Sequence, residues 1–211
     1  SVSQFPATLV TGRAGSGKTA LAAAFASYFS KVSWYSIEST DASWAVFSKY
    51  FSASLHGPES RVSRSELESK EQADQSEIAK FMLDNFGGLI SLRQRETSLI
   101  VLDDIHHLFD VGWFECFFNL LVPSLPSGTH ILMLCRSKPP SPLWRMRSKQ
   151  MLNVIDEKVI AFNPGETEAL FEAMKLPTTK AKEFQRQSFG RISKILRLAE
   201  DQFSILPTQL V

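Results

Sequence analysis

Gly12-Arg13-Ala14-Gly15-Ser16-Gly17-Lys18-Thr19 has the form G-x-x-x-x-G-K-[ST], the P-loop. Glycines at these positions let the backbone curl until successive N–H groups point inward, where they can face phosphate oxygens. Ala7-Thr8-Leu9-Val10 in front of the loop reads as a short buried strand. Behind it the spacing predicts a helix from about Lys18 to Ser30, with Leu21, Phe25 and Phe29 on one face. The positive end of that helix would add to the loop's attraction for anions. Lys18 is placed to bridge β- and γ-phosphates, and the Thr19 hydroxyl to ligate Mg²⁺. The expected nucleotide-contacting set is Gly12, Arg13, Ala14, Gly15, Ser16, Gly17, Lys18, Thr19 and Ala20.

Further along, Ser98-Leu99-Ile100-Val101-Leu102 is apolar on both faces, as a central parallel strand covered by helices would be. It delivers Asp103 and Asp104 to the C-terminal edge of a sheet, where ligands bind in α/β folds. This is the form of a Walker B motif. Asp103 is the expected metal partner, and Asp104 is placed to orient or deprotonate an attacking water. Arg136 ends another buried strand, Ile131 to Cys135, level with the same edge, where a cation can stabilise γ-phosphate charge. Lys18, Asp104 and Arg136 are therefore the catalytic candidates. Arg145 and Arg147 could instead form a phosphate-closing lid. His106 and His107 follow the acid pair closely. His106 suits a supporting place at the start of a helix, whereas His56 and His130 read as surface residues.

Between these motifs, Trp34 to Ile37 reads as a strand, and Asp41 as the N-cap of a helix carrying Trp44, Phe47, Phe51 and Leu55. A polar segment from Gly57 to Asp74 leads to a helix from about Gln72 to Leu92. A very apolar helix with Phe114, Phe117, Phe118 and Leu121 ends at Pro123. After a turn rich in prolines (Pro139, Pro140, Pro142), one more strand lies between Met151 and Phe162. Strands alternating with helices predict an α/β fold, a P-loop NTPase with a central parallel five-stranded sheet flanked by helices. Asn163-Pro164-Gly165-Glu166 then starts a helix, and no strand signal follows it. The expected organisation is a nucleotide-binding domain over residues 1–162 and a small helical lid over residues 163–211. The chain opens on Ser1 rather than Met, which reads as a piece cut from a longer protein.

Composition bounds the function classes. The 211 residues are 44% hydrophobic, too apolar for a disordered chain. With 23 Lys and Arg against 22 Asp and Glu, bulk positive charge cannot drive binding to DNA, and no direct DNA contact is expected. Sixteen phenylalanines should dominate the core. Cys116 and Cys135 sit in apolar runs, which suits buried thiols in a reducing compartment. No apolar run approaches the roughly 18 residues that span a bilayer. The expectation is a cytoplasmic protein without a membrane partner.

The P-loop, the strand Trp34 to Ile37 ahead of Asp41, the run Leu102-Asp103-Asp104-Ile105-His106 and the strand ending Cys135-Arg136-Ser137 follow one another in a recognisable order. In this the chain resembles the nucleotide-binding domain of the STAND class of signalling NTPases. Within that class it looks most like the maltose-activator-type bacterial transcriptional regulators of the LuxR family. Ser16 and Ala20 stand where that subgroup usually has an aromatic residue and a second threonine. The resemblance implies a slow ATPase acting as a switch in a multidomain signalling or transcriptional regulator. ADP would hold it closed, and ATP exchange would allow self-association. It implies ATP/ADP and Mg²⁺ as cofactors, with Asp103 on the metal, Asp104 on the water and Arg136 on the γ-phosphate. It also implies partners in other domains of the same chain. Two alternatives stand beside this: a P-loop kinase acting on a small molecule, and a module that holds nucleotide without turnover and works through partner contacts.

Overall fold

Five strands align in parallel, in the order β2-β3-β4-β1-β5: β1 (Ala7–Thr11), β2 (Lys31–Ser36), β3 (Ser98–Asp103), β4 (Thr129–Cys135) and β5 (Leu152–Ile155). They come from a computed structural model that describes residues 5–57, 71–87 and 97–203. The expected five-stranded parallel sheet with flanking helices is the one observed. Register places Thr11 opposite Cys135 and Ser36 opposite Asp103, so the ends of four strands meet along one edge of the sheet.

Alternation along the strands builds two apolar layers, because successive side chains point to opposite faces. Leu9, Ile100, Leu102, Ile131 and Met133 face the larger layer, with Phe47, Phe51, Trp113, Phe117 and Phe118. Those aromatics come from α2 (Trp44–His56) and α4 (Phe114–Ser124), the latter joined by the residue before it, Trp113. α3 (Gln75–Phe86) adds Ile78 and Met82, and α5 (Ser141–Ser148) adds Leu143 and Met146. Val10, Leu99, Val101, Leu132 and Leu134 face the thinner layer, against Ala22 and Phe25 of α1 (Lys18–Ala26). Phe171, Phe184, Ile195 and Ala199 close a third core. It lies among α7 (Pro164–Ala173), α8 (Ala181–Ser188) and α9 (Ile192–Phe203).

Several local readings are corrected. Ala22 is the fully buried apolar residue of α1 against the sheet and Phe25 packs beside it, while Leu21 lies off that face and is 43% exposed. The helix also stops at Ala26, short of Ser30. Asp41 is not the cap of α2: it lies in a 3-10 turn (Ser39–Ala42), accepts the backbone N–H of Glu38 at 2.9 Å, and Ser43 occupies the N-cap. His130 is buried rather than exposed: it sits within 3.1 Å of Thr8 Oγ1 and edge-on to Phe25. The proline-rich segment is not only a turn. Pro140 caps α5 and Pro142 sits in its first turn, where a missing N–H costs nothing. A short helix, α6 (Glu157–Ile160), follows β5 directly. The polar run at 58–70 and the predicted end of the third helix at 88–92 lie outside the described residues. Among the described residues, no helix is long and apolar enough to cross a membrane.

Candidate functional site

The loop after β1 is fixed from both sides of the strand it leaves. Gly12 N–H donates to Cys135 O at 3.1 Å, tying the loop to the end of β4. Gly15 and Gly17 adopt φ of +73° and +95°, backbone that disfavours residues with a Cβ. A Cβ on Gly15 would fall 2.0 Å from Ser193 Oγ, so the loop is also closely covered by the start of α9. Ser193 N–H donates to Gly15 O at 3.2 Å.

Inside this curl lies the Lys18 side chain, 6% exposed. Its ammonium donates to Gly12 O at 2.6 Å and to Arg13 O at 3.0 Å. Burial, and then the neighbouring Arg136 charge, lower its pKa from the ordinary lysine value, while Asp104 and Asp103 oppose the shift. Thr19, one residue on, donates its hydroxyl to Asp103 Oδ2 at 3.2 Å. Asp103 Oδ1 accepts the Asp104 N–H at 2.9 Å. Burial and the Asp104 charge push the Asp103 carboxyl above the usual carboxylate range, which is the state a nearby cation would relieve.

The donor set fits Mg²⁺. A hydroxyl and a carboxylate are hard oxygen ligands. Among the described residues, no cluster of three or more His, Cys, Asp and Glu side chains could hold a metal by itself. Two protein oxygens with the rest left open is what Mg²⁺ requires when phosphates and water complete its octahedron.

Asp104 occupies left-handed backbone at φ 55°, ψ 35°, which aspartate tolerates better than most residues. There its carboxylate meets Arg136 in a two-pronged ion pair, Nε to Oδ1 at 3.0 Å and the terminal nitrogen to Oδ2 at 2.7 Å. His106 Nδ1 lies 3.7 Å from Asp104 Oδ1, too far for a hydrogen bond. Burial, then His107, lowers the His106 pKa, so near neutral pH its ring is uncharged beside the acid pair.

Lys18, Thr19, Asp103, Asp104 and Arg136 are thus gathered at one end of the sheet. Arg145 and Arg147 are turned elsewhere: Arg145 pairs with Glu115 and Arg147 lies over the Trp144 ring at 5.1 Å. Ala14 and Ala20 are exposed at the rim of the loop. Glu157 was not foreseen. Its carboxylate accepts the Arg13 side-chain N–H at 3.0 Å and the Arg13 backbone N–H at 3.3 Å, and Arg191 Nε lies 3.9 Å away. The Arg13 partnership holds Glu157 below the usual carboxylate range. The charged run Asp156-Glu157-Lys158 directly after the fifth strand was the available signal. Nothing local marked Ser193.

A family model described as the AAA ATPase domain matches residues 1–134. The HTH-type transcriptional regulator MalT of Yersinia enterocolitica is 26% identical over 172 residues, covering 81% of this chain and 19% of that protein. MalT of Vibrio parahaemolyticus is 24% identical over 158 residues, 75% of this chain and 17% of that protein. The chain spans about a fifth of the length of these relatives. These similarities bear out the resemblance to a P-loop nucleotide-binding domain of the maltose-activator type. Among solved structures, C. elegans PCH-2 superposes with a TM-score of 0.53 at 14% identity, over 97% of this chain and 56% of that one, a likeness of fold alone.

Proposed function

The chain belongs to the AAA ATPase domain family, and from that premise we propose that it is the Mg-ATP-binding switch of a multidomain signalling or transcriptional regulator, with slow turnover. The observation that carries the reading is the convergence of the P-loop on Asp103: Lys18 lies inside the loop and the Thr19 hydroxyl is 3.2 Å from the carboxylate.

In this reading the P-loop amides and the Lys18 ammonium grip the phosphates, while Thr19 and Asp103 hold Mg²⁺. A Mg²⁺ ion held by Thr19 and Asp103 would supply positive charge against the phosphates. Lys18 exchanges its bonds to Gly12 O and Arg13 O for phosphate oxygens, so no new cation need be buried. Arg136 leaves Asp104 for the γ-phosphate, and Asp104, released, takes the proton of the attacking water. Until that exchange both Asp104 oxygens are committed, which keeps turnover slow. The helices between Asn163 and Phe203 form the lid, and ADP/ATP exchange governs self-association of the longer protein, to which this chain contributes one part.

The same ion pair supports a second reading, a module that keeps its nucleotide intact and acts through partner contacts. Arg136→Ala separates the two. A slow ATPase hydrolyses ATP in the wild type and loses turnover in the variant, which lacks the γ-phosphate cation, whereas a purely holding module shows none in either form.

Calorimetric titration of ATP and ADP, with and without Mg²⁺, tests the main reading. Wild type should bind, and Lys18→Ala should weaken binding about 10- to 100-fold, the value of a charge-assisted hydrogen bond to phosphate. No binding by wild type, or an unchanged Kd for the variant, overturns it.

A further inference from the structure

We propose that Glu157 is a positioning residue, a latch that ties the start of α9 to the P-loop and sets how long a bound nucleotide stays. This role rests on the nucleotide reading above and adds the control of release.

Three segments far apart in sequence meet at this one carboxylate. On the loop side, the Arg13 Nε–H is shared between Oε1 at 3.1 Å and Oε2 at 3.0 Å, and the Arg13 backbone N–H donates to Oε2 at 3.3 Å. The stem packs on the same loop: a Cβ added to Gly12 would fall 3.3 Å from Glu157 Cβ and 3.4 Å from its Cγ. On the other side stands Arg191, the residue before α9, with its Nε 3.9 Å from Oε1. Glu157 itself is held by α6, whose first turn it occupies and whose N-terminus Asp156 caps by accepting Lys158 N–H and Val159 N–H.

The Arg191 half of this junction is unfinished. Its Nε is buried and has no hydrogen-bond partner among the described residues, and a buried donor left unpaired is costly. An approach of under about 1 Å brings it within range of Glu157. Closing that gap joins the loop and α9 through one charged bridge.

Without the bridge the contact is thin. Ser193 N–H donates to Gly15 O at 3.2 Å, and an Ile192 methyl group lies 3.2 Å from where a Cβ on Gly17 would stand. Both contacts are neutral, so Glu157 is the charged member of the junction. A negative charge beside a phosphate seat would ordinarily weaken anion binding. Here one acid lies between two arginines, so its repulsion of phosphate is offset while its hold on α9 remains. Glu157 also stands in the wall of a cleft of about 720 Å³ that it shares with Gly12, Arg13 and Arg136. A latch at this place closes on space that opens directly from the loop.

Release of the fluorescent nucleotide mant-ADP, chased with excess ADP in stopped flow, reads the latch. Glu157→Gln keeps the shape of the side chain and removes its charge. It should release about 3- to 10-fold faster than wild type, the range for a partly exposed charged network. Raising NaCl from about 50 to about 500 mM should speed release more in wild type than in Glu157→Gln, because salt screens the bridge. A mere fold defect would leave the two salt responses equal. Arg191→Gln should speed release in wild type and add nothing in the Glu157→Gln background. Release from Glu157→Gln at the wild-type rate or slower overturns the latch while the nucleotide reading stands. Equal salt responses do the same, as does an Arg191→Gln effect that is absent in wild type or undiminished in the Glu157→Gln background. Wild type that holds no mant-ADP overturns the nucleotide reading, and the latch with it.

Discussion

At the scale of single residues, Asp104 and His130 carry the clearest expectations. Asp104→Asn keeps the size of the side chain and removes its basicity. Nucleotide Kd should change by less than about threefold while steady-state hydrolysis drops at least about 100-fold, the usual contribution of a positioned base. Equal losses of binding and turnover would contradict the role given to Asp104. His130 is buried beside Thr8, and burial lowers its pKa below the ordinary histidine value. The sign follows: as pH falls below about 6.5, the unfolded chain takes up a proton that the folded His130 resists. Stability should therefore fall on acidification by up to about 1.4 kcal/mol per pH unit from this group. Urea unfolding of wild type and His130→Gln at pH 7.5 and 5.5 checks it, the variant showing the shallower loss. The residues of the P-loop were legible because their spacing is a local pattern. His130 was not, since a polar residue at the start of a strand looks the same whether the neighbouring strand offers it Thr8 or water.

At the scale of elements, β1, β3 and β4 were readable from apolar runs, and the helix at Asn163 from its cap. β2 was read at Trp34 to Ile37 but runs Lys31–Ser36, its first residues being exposed, and the four-residue β5 was placed only within Met151 to Phe162. Asn163 Oδ1 accepts Glu166 N–H at 2.9 Å and Glu166 returns the bond to Asn163 N–H at 2.8 Å. α5 was obscured by prolines that count as breakers in the middle of a helix and as starters in its first turn. α6 was hidden because only four residues form it, too few for a periodic signal. The link between α8 and α9 depends on Gly190 at φ +73°, where an added Cβ would fall 2.4 Å from Phe162 O and 2.9 Å from Phe162 N. Gly190→Ala should cost about 2–4 kcal/mol by combining strained backbone with a backbone clash. Thermal unfolding measures the loss, and limited proteolysis should show earlier cutting between residues 160 and 192 than in wild type.

At the scale of the whole molecule, the larger apolar layer is an aromatic cluster, with Phe47 centred 4.8 Å from Trp113 and 5.0 Å from Phe117. The high phenylalanine content made this core foreseeable, though not which rings would meet. Phe117 is fully buried and touches rings from both α2 and the end of the loop before α4. Phe117→Ala should destabilise the protein by about 3–5 kcal/mol, read from denaturant midpoints. What composition and periodicity could not supply were the contacts between distant segments. Arg13 meets Glu157 across 144 positions and Ser193 covers Gly15, and these pairings arise only once the sheet has closed.

The order of the strands has one more consequence. β3, β4 and β1, whose ends carry Asp103, Arg136 and the P-loop, are interior strands with a neighbour on each side, while β2 and β5 form the rims. The segment leading to the third core leaves from the β5 rim. Rim strands have one set of ladder bonds and open at lower free energy than interior strands, which have two. Breathing at β5 is thus felt at the phosphate seat, because Glu157 just beyond the strand holds Arg13 and Ser193 at the start of α9 donates to Gly15 O. A disturbance at a strand with one neighbour therefore reaches, through these two contacts, a loop whose own strand has two.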